Sequence, residues 1–318
     1  MTDCGIVIVT FNSQSEIGPC LEAALTSGAR IVVVDNASAD GTLAEMERAG
    51  AAERGVKIIA NPVNRGFAAA VNQGFAVLDT PYVLLLNPDA VLQSSLESLR
   101  ECCDLPASAG AGGRLVDTRG DPQTGFMVRQ LPTPGTLILE ALVLNRLFPG
   151  NRINRRYRGL GLDYSNRLEV EQPAGAFLMV RRDVWEELCG FDENYFPLWF
   201  EDVDFCRRAK DRGYRLFYTP RAVAKHTGGH SIPRIGLEMR RFYWYRSLLK
   251  YSSRHFSPLA FRSVSLAVVT GSIIRGVAES ALSRSLKPMA AYGSVVRLAS
   301  RCLFAGWRDE RGIARPAK

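Results

Sequence analysis

The chain has 318 residues, 47% of them hydrophobic and 23% charged, which suits a globular protein with one large core and room for an appendage. Its seven cysteines are scattered, with no CxxC pair, which argues against a disulfide framework or a cysteine zinc site and suits a reducing compartment. The net charge of +8 is unevenly placed: residues 239–318 hold 15 Lys/Arg against 3 Asp/Glu, a net of +12, so the remainder carries −4.

The N-terminus, MTDCGIVIVTFNS, has an acid before a short β-branched run. A secretory signal would have a basic region before a longer apolar stretch. The segment therefore predicts a first strand over 5–11, in a mature protein that starts near Met1 and stays in the cytoplasm. A helix follows over 14–25, then a buried strand at 31–35 (IVVVD). Ser38 or Asp40 can cap a helix starting near Gly41. A third strand spans 56–60, a helix entered through Gly66 spans 64–78, and a fourth strand (YVLLL, 82–86) ends in Asn87-Pro88-Asp89. Strand alternating with helix implies a parallel sheet with helices on its faces. Ligands of such sheets bind beyond the carboxyl ends of the strands. The polar clusters Thr10-Phe11-Asn12, Asp35-Asn36 and Asn87-Asp89 fall there.

Residues 117–170 are rich in Arg, Gly and Pro and read as a loop-rich insert with one helix near 135–147. A strand (172–180), a short helix (181–190), a helix with acids at its start and Gly at its end (201–213) and a strand (214–219) follow. From Met239 to Ala278 no acid occurs, and seven basic residues mix with Phe242, Tyr243, Trp244, Tyr245 and Tyr251. The apolar stretch between Arg262 and Arg275 is 12 residues, short of the roughly 20 that a spanning helix needs. This pattern fits a helix lying in a membrane interface; a solvated tail, or a helix packed on the main domain, would carry the same residues.

Seven blocks in order, IVIVTFNS, VVVDNASADGT, NRGFAAAVNQGF, LLLNPDA, PAGAFLMVRRDVWEELCGFDE, FEDVDFCRRAKDRGY and HTGGHS, resemble the family-2 glycosyltransferases, inverting enzymes with the GT-A fold, over about residues 5–232. The NPD variant and the later spacings look most like bacterial rhamnosyltransferases of cell-surface polysaccharide synthesis. The resemblance implies a GT-A (Rossmann-like) α/β domain, a mostly parallel sheet flanked by helices, over 1–238. Its nucleotide-binding half would cover about 1–110 and its acceptor-binding half about 111–238, with a basic amphipathic helical extension over 239–318.

Transfer of a sugar from a nucleotide diphosphate needs charge stabilisation of the leaving group, a base for the acceptor hydroxyl, and alignment of both. By resemblance, Asn87-Pro88-Asp89 stands where the family has its DxD motif, and Asp89 would bind a divalent metal, Mn2+ or Mg2+. Asn87 replaces the first acid and would bond ribose or phosphate; an N-P-D turn alone would also explain the motif. His226 would complete the metal shell, with His230 its competitor; Gly228-Gly229 beside it would permit close substrate approach. Asp202 would be the catalytic base and Glu201 its neighbour, their repulsion raising one pKa; helix capping explains the same acids. Asp204 reads as part of the helix start. Trp199 would stack on a sugar or pack in the core, and Gly175 and Ala176 would let the acceptor approach backbone. Asp35 would accept hydrogen bonds from base or ribose. Thr10, Phe11 and Asn12 would line the base pocket, and Asn64 and Arg65 would bond the nucleotide.

The implied donor is dTDP-L-rhamnose, with UDP sugars open. The implied acceptor is a lipid-linked saccharide, met by an enzyme peripheral on the inner face of the plasma membrane, bound through its basic region to anionic lipid, with no nucleic-acid partner. A nicotinamide enzyme should show G-x-G-x-x-G after the first strand, where TFNSQSEIG stands. A nucleotidyltransferase should have basic residues over 10–20, which hold none. A nonenzymatic membrane adaptor would share the basic tail but has no use for acids at 89, 201 and 202.

Overall fold

The computed structural model of the chain describes residues 3–228 and 236–308. They divide into two compact units, residues 3–131 with 152–228, and residues 132–151 with 236–308.

The first unit is built on strands β1 (Cys4–Thr10), β2 (Arg30–Asp35), β3 (Lys57–Ala60) and β4 (Tyr82–Leu86), joined by helices α1 (Ile17–Thr26), α2 (Thr42–Arg48) and α3 (Phe67–Val77). These four strands pair in parallel in the order β3-β2-β1-β4, with Ile8 opposite Val33 on one side and Leu86 on the other. Runs of Val, Ile and Leu make β1 and β4 almost wholly buried, as a sheet covered on both faces requires. Helix α3 lies close on β1: a side chain at Gly74 would begin 2.4 Å from Val7 Cγ1.

Beyond β4 the sheet is mixed. Strand β10 (Phe177–Arg181) runs antiparallel to β4 and to β6 (Ser108–Val116). Next to β6 lies β11 (Arg215–His226), parallel to it, and β5 (Ala90–Leu92) and β8 (Leu168–Val170) pair antiparallel with β11. These complete a nine-stranded sheet among the described residues. Strands β7 (Val128–Arg129) and β9 (Gln172–Pro173) form a small separate ribbon. Helices α4 (Glu97–Cys103), α7 (Arg152–Tyr157), α8 (Arg182–Glu187) and α9 (Glu201–Asp211) complete this unit. The directions matter for function. The carboxyl ends of β1, β2, β4, β6 and β11 and the amino ends of β5 and β10 all meet one rim, as the registers Thr10↔Asp35, Leu86↔Phe177 and Ala90↔His226 require.

Strand β6, SAGAGGRLV, has few of the residues that favour strands, and its composition follows from crowding. A Cβ at Gly110 would fall 2.2 Å from the Met179 carbonyl oxygen, and one at Gly113 2.3 Å from the Phe177 ring.

The second unit draws on two stretches of chain. Helix α5 (Pro134–Ala141), capped by Thr133 accepting from the Thr136 amide at 3.2 Å, is followed by α6 (Leu144–Leu147). Helices α10 (Leu237–His255), α11 (Pro258–Ser283) and α12 (Lys287–Ala305) make up the rest. The 12-residue apolar stretch read from the sequence is only part of α11, a 26-residue helix that runs through both Arg262 and Arg275 and is the one described helix long and apolar enough to cross a membrane by length and composition. Of its most apolar window, 44% is buried inside the protein. Ser257 caps it, accepting from the Ala260 amide, with Pro258 in its first turn, so the helix has a sequence-encoded start ahead of Arg262.

Replacing Gly110 by Val should cost about 3 kcal/mol of stability, since the clash is with backbone. Gly161→Ala, with nothing within 4 Å of the new Cβ, should stay within about 0.5 kcal/mol. Urea unfolding of both variants checks the pair, and equal midpoints would contradict the packing described for β6.

Candidate active site

Asp89 sits between β4 and β5 and is buried, as is His226 at the end of β11. Their side chains face each other, His226 Nε2 standing 3.4 Å from Asp89 Oδ1. The backbones are tied as well, the Thr227 amide donating to the Asp89 carbonyl at 3.2 Å. On the far side of the imidazole, the Gln123 amide Nε2 donates to the His226 carbonyl at 2.7 Å, which turns Gln123 Oε1 to His226 Nδ1 at 2.9 Å. Phe126 stacks on the ring, 5.1 Å between centroids. His230 lies outside the described residues.

This network assigns the protons. Gln123 Oε1 can only accept, so Nδ1 carries hydrogen, and in the neutral ring Nε2 presents a lone pair. That lone pair and the Asp89 carboxylate then converge, an arrangement that calls for a cation between them. Two neighbouring ligands in an octahedral shell of about 2.1 Å stand about 3.0 Å apart, close to the spacing seen. A divalent metal ion therefore fits the pair, with Gln123 fixing the ring as partners behind a metal-binding histidine do. Among the described residues no group of three or more His, Cys, Asp or Glu side chains converges for a metal, so the remaining ligands would be water or substrate oxygens. Burial opposes the charge of Asp89, yet the Gly228 amide and, in the doubly protonated form of the ring, the hydrogen bond and charge of His226 prevail and hold its carboxyl below the ordinary value.

Asp202 lies in the first turn of α9, half-buried. Its Oδ2 accepts from the Gly175 amide at 3.2 Å and from Gln172 Nε2 at 3.4 Å, and its Oδ1 accepts from the Val203 amide at 2.8 Å. Burial pushes its pKa up, while these amides and the charge of Arg129 pull it down; the net direction is upward. A Cβ at Gly175 would stand 3.2 Å from Asp202 Cβ and Oδ2, so a larger residue there would press on this contact. The next residue, Ala176, accepts from the Asn87 amide at 3.0 Å. One backbone segment thus touches both Asp202 and the Asn87-Pro88-Asp89 turn.

Glu201 is buried, and its Oε2 has no hydrogen-bond partner among the described residues. Burial first, and the Asp202 charge second, push its pKa well above the ordinary 4.5. Asp204, fully buried, is engaged structurally: it accepts from Arg208 Nε at 2.7 Å and from the Tyr195 hydroxyl at 3.2 Å. Before α9, Trp199 and Phe200 both have positive φ, 78° and 72°, costing roughly 1–3 kcal/mol each for bulky side chains. Trp199 is half-buried. This loop is clamped to α3, the Phe67 amide donating to the Pro197 carbonyl at 2.7 Å; a Cβ at Gly66, whose φ is 87°, would meet Phe196 at 2.8 Å.

At the ends of β1 and β2, Asp35 is committed within the protein. It accepts from the Thr10 hydroxyl at 2.8 Å and from the Ser38 hydroxyl and amide. Asn12, at φ 54°, accepts from the Ala39 amide at 2.7 Å, and Phe11 beside it is half-buried. Asn36 joins these loops to the next: its amide nitrogen donates to Asn64 Oδ1 at 2.9 Å, and its Oδ1 accepts from the Arg65 amide at 2.9 Å. The structure therefore gathers Thr10, Phe11, Asn12, Asp35, Asn64 and Arg65 in one set of linked loops, and Asp89, His226, Gly175, Ala176 and Asp202 in a second. Gln123, Phe126, Gln172 and Arg129 were not singled out in the sequence, where Gln123 and Arg129 fall in an irregular stretch without a motif.

The model sequence of glycosyl transferase family 2 matches residues 5–186. The N-acetylglucosaminyl-diphospho-decaprenol L-rhamnosyltransferase of Mycobacterium tuberculosis is 30% identical, over 83% of this chain and 92% of that protein. Rhamnosyltransferase WbbL of Escherichia coli is 27% identical over 60% of this chain and 69% of its own length. Among solved structures, a mannosyltransferase from Pyrobaculum calidifontis in complex with GDP-Man and Mn2+ superposes with a TM-score of 0.53 at 14% identity, covering 96% of this chain and 88% of that one; this likeness is one of fold.

A raised acid pKa in the folded state contributes stability below the unfolded value of 4.5 and loses it as pH climbs through the folded value. Urea unfolding from about pH 5 to about pH 8 should therefore show the native chain losing stability relative to Glu201→Gln, which cannot ionise. Parallel pH curves for the two proteins would mean that Glu201 is not a buried neutral acid.

Proposed function

Because the chain belongs to glycosyl transferase family 2, we propose that this glycosyltransferase moves L-rhamnose from dTDP-L-rhamnose to a hydroxyl of a lipid-linked saccharide, with inversion, at the inner face of the plasma membrane. The observation that carries the reading is the 30% identity, over 83% of the chain, to an enzyme whose name specifies both a rhamnosyl group and a diphospho-decaprenol acceptor.

In this mechanism Asp202 accepts the acceptor hydroxyl proton as that oxygen attacks the anomeric carbon. The new C–O bond forms as the bond to the diphosphate breaks, and the nucleoside diphosphate leaves with the electron pair. The raised pKa of Asp202 makes it a better base than an ordinary carboxylate. The Gly175 amide and Gln172 hold its carboxyl group, and neutral Glu201 adds no second charge beside it. Asp89 and His226 would hold a divalent cation, whose chemistry is to offset the charge gathering on the diphosphate. Gln123 keeps Nε2 free for it. The loops of Thr10, Phe11, Asn12, Asp35, Asn64 and Arg65 would receive the nucleoside, Asn87 would bond ribose or phosphate, and Trp199 would lie against the acceptor sugar.

A thermal-shift screen of nucleotide sugars tests the donor. With Mn2+ present, dTDP-L-rhamnose should raise the melting temperature by mass action; a shift with a UDP sugar and none with dTDP-L-rhamnose would overturn the rhamnose assignment. Asp202→Asn should keep the donor-induced shift and lose turnover by on the order of 10²–10⁴. Asp89→Ala and His226→Ala should each abolish the part of the shift that depends on Mn2+, and a metal-dependent shift surviving in both would remove the pair from metal binding.

A further inference from the structure

Helix α11 is built inside out for a helix facing water. Its buried residues are Phe261, Val264, Ser265, Ala267, Val268, Gly271, Ser272 and Gly276, more than half of them Gly, Ala or Ser. Its exposed face carries the large aliphatics Leu259, Leu266, Ile273, Ile274 and Val277, and Leu282 is exposed at the helix end. From Leu259 to Leu282 that exposed face has one charge, Arg262. A surface helix in water places its apolar stripe inward and its charges outward. Here the inward contact relies on close backbone approach: a Cβ on Gly271 would lie 2.0 Å from the Ala141 carbonyl oxygen of α5. Small residues inside and large aliphatics outside is how helices pack where lipid surrounds them.

Charge identifies the lipid. Exposed Arg254 and Arg262 lie at one end of the stripe and exposed Arg284 and Lys287 at the other, within a region of net charge +12. At the turn into α12 the pattern condenses into Leu282, Arg284, Leu286 and Lys287, with the two leucines 86% and 80% exposed. Apolar side chains alternating with cations suit the boundary between acyl chains and anionic headgroups. The opposite side of α11 is protein-bound and holds two charged side chains. Glu279 pairs with Arg241 of α10 at 2.6 Å and accepts from the Tyr292 hydroxyl of α12 at 3.1 Å, while Arg275 donates to the Ala141 carbonyl at 2.9 Å. Such groups are costly at the centre of a bilayer, which leaves one face of the helix suited to lipid.

We infer that the outward face of α11, Leu259 through Val277, lies in the plane of an anionic bilayer with its aliphatic side chains among the acyl chains and the flanking Arg and Lys residues on lipid phosphates. This deepens the membrane part of the function proposed above and rests on it; the chemistry of transfer does not depend on it.

The test uses the full chain with vesicles of phosphatidylcholine alone or with about 30% phosphatidylglycerol. The native chain should co-sediment with the anionic vesicles, and less so as salt rises. Leu266→Glu with Ile273→Glu, both at exposed positions, should weaken vesicle binding by about a hundred-fold while unfolding at the same temperature and hydrolysing donor at the native rate. A tryptophan in Leu266→Trp should be quenched by bromine placed on the acyl chains. Native binding by the double glutamate variant, or absence of quenching, would overturn the inference. So would a concentration-dependent dimer that the glutamates abolish, which would make the face a contact between copies, and so would resistance to alkaline extraction, which would mark a spanning helix. Loss of donor hydrolysis in the native chain would instead count against the transferase reading and leave vesicle binding to be judged separately.

Discussion

Two residues of backbone, Gly175–Ala176, join the acidic positions of the site. The amide of Gly175 reaches Asp202 and the carbonyl of Ala176 receives the Asn87 amide. These bonds exist because β10 is inserted antiparallel beside β4, so that its amino end lies at the rim where β4 ends. A parallel β10 would deliver its carboxyl end there and remove this link. The reversal of one strand thus places a candidate base and a candidate metal position on either side of the same two peptide units. The preference for glycine at 175 follows from the 3.2 Å that a Cβ would leave to Asp202.

The parallel half of the fold was plain in the amino-acid sequence because strands buried on both faces become unbroken Val/Ile/Leu runs, and polar residues gather where they end. Strand β6 was not, for a physical reason. Its neighbours approach so closely that Gly and Ala are required, and those residues lack the pattern by which strands are recognised. Asp89, Asp202 and His226 stood out as acids or a rare histidine at motif positions. Gln123 did not. Its part depends on a contact 103 residues away along the chain, and its flanks, DPQTGF, have no periodicity. Asn36 is similar: the sequence places it at a strand end, while its work of joining its own loop to the one between β3 and α3 is visible only in three dimensions.

The second unit departs from the sequence reading in length. Arg262 and Arg275 looked like the ends of an apolar segment, but charge does not end a helix. Arg275 turns its guanidinium to the Gly271 and Ala141 carbonyls, so the helix carries it without exposing the charge to a neighbouring apolar surface. The stop comes at Arg284, in a left-handed conformation with φ 49°.

The clamp between Pro197 and α3 has a consequence for how negative charge is met. Helix amino termini in open α/β folds often serve as phosphate cradles, offering unpaired amides and the positive end of the dipole. In this chain the two amides entering α3 are already spent, Gly66 on Asn64 Oδ1 and Phe67 on the Pro197 carbonyl. Asn64 and the loop that leads to α9 thus take two of the four amides that a helix start offers. Those two groups are closed to any anion at this rim for as long as the loop stays docked, so the helix start is coupled to the segment that carries Trp199 and Asp202.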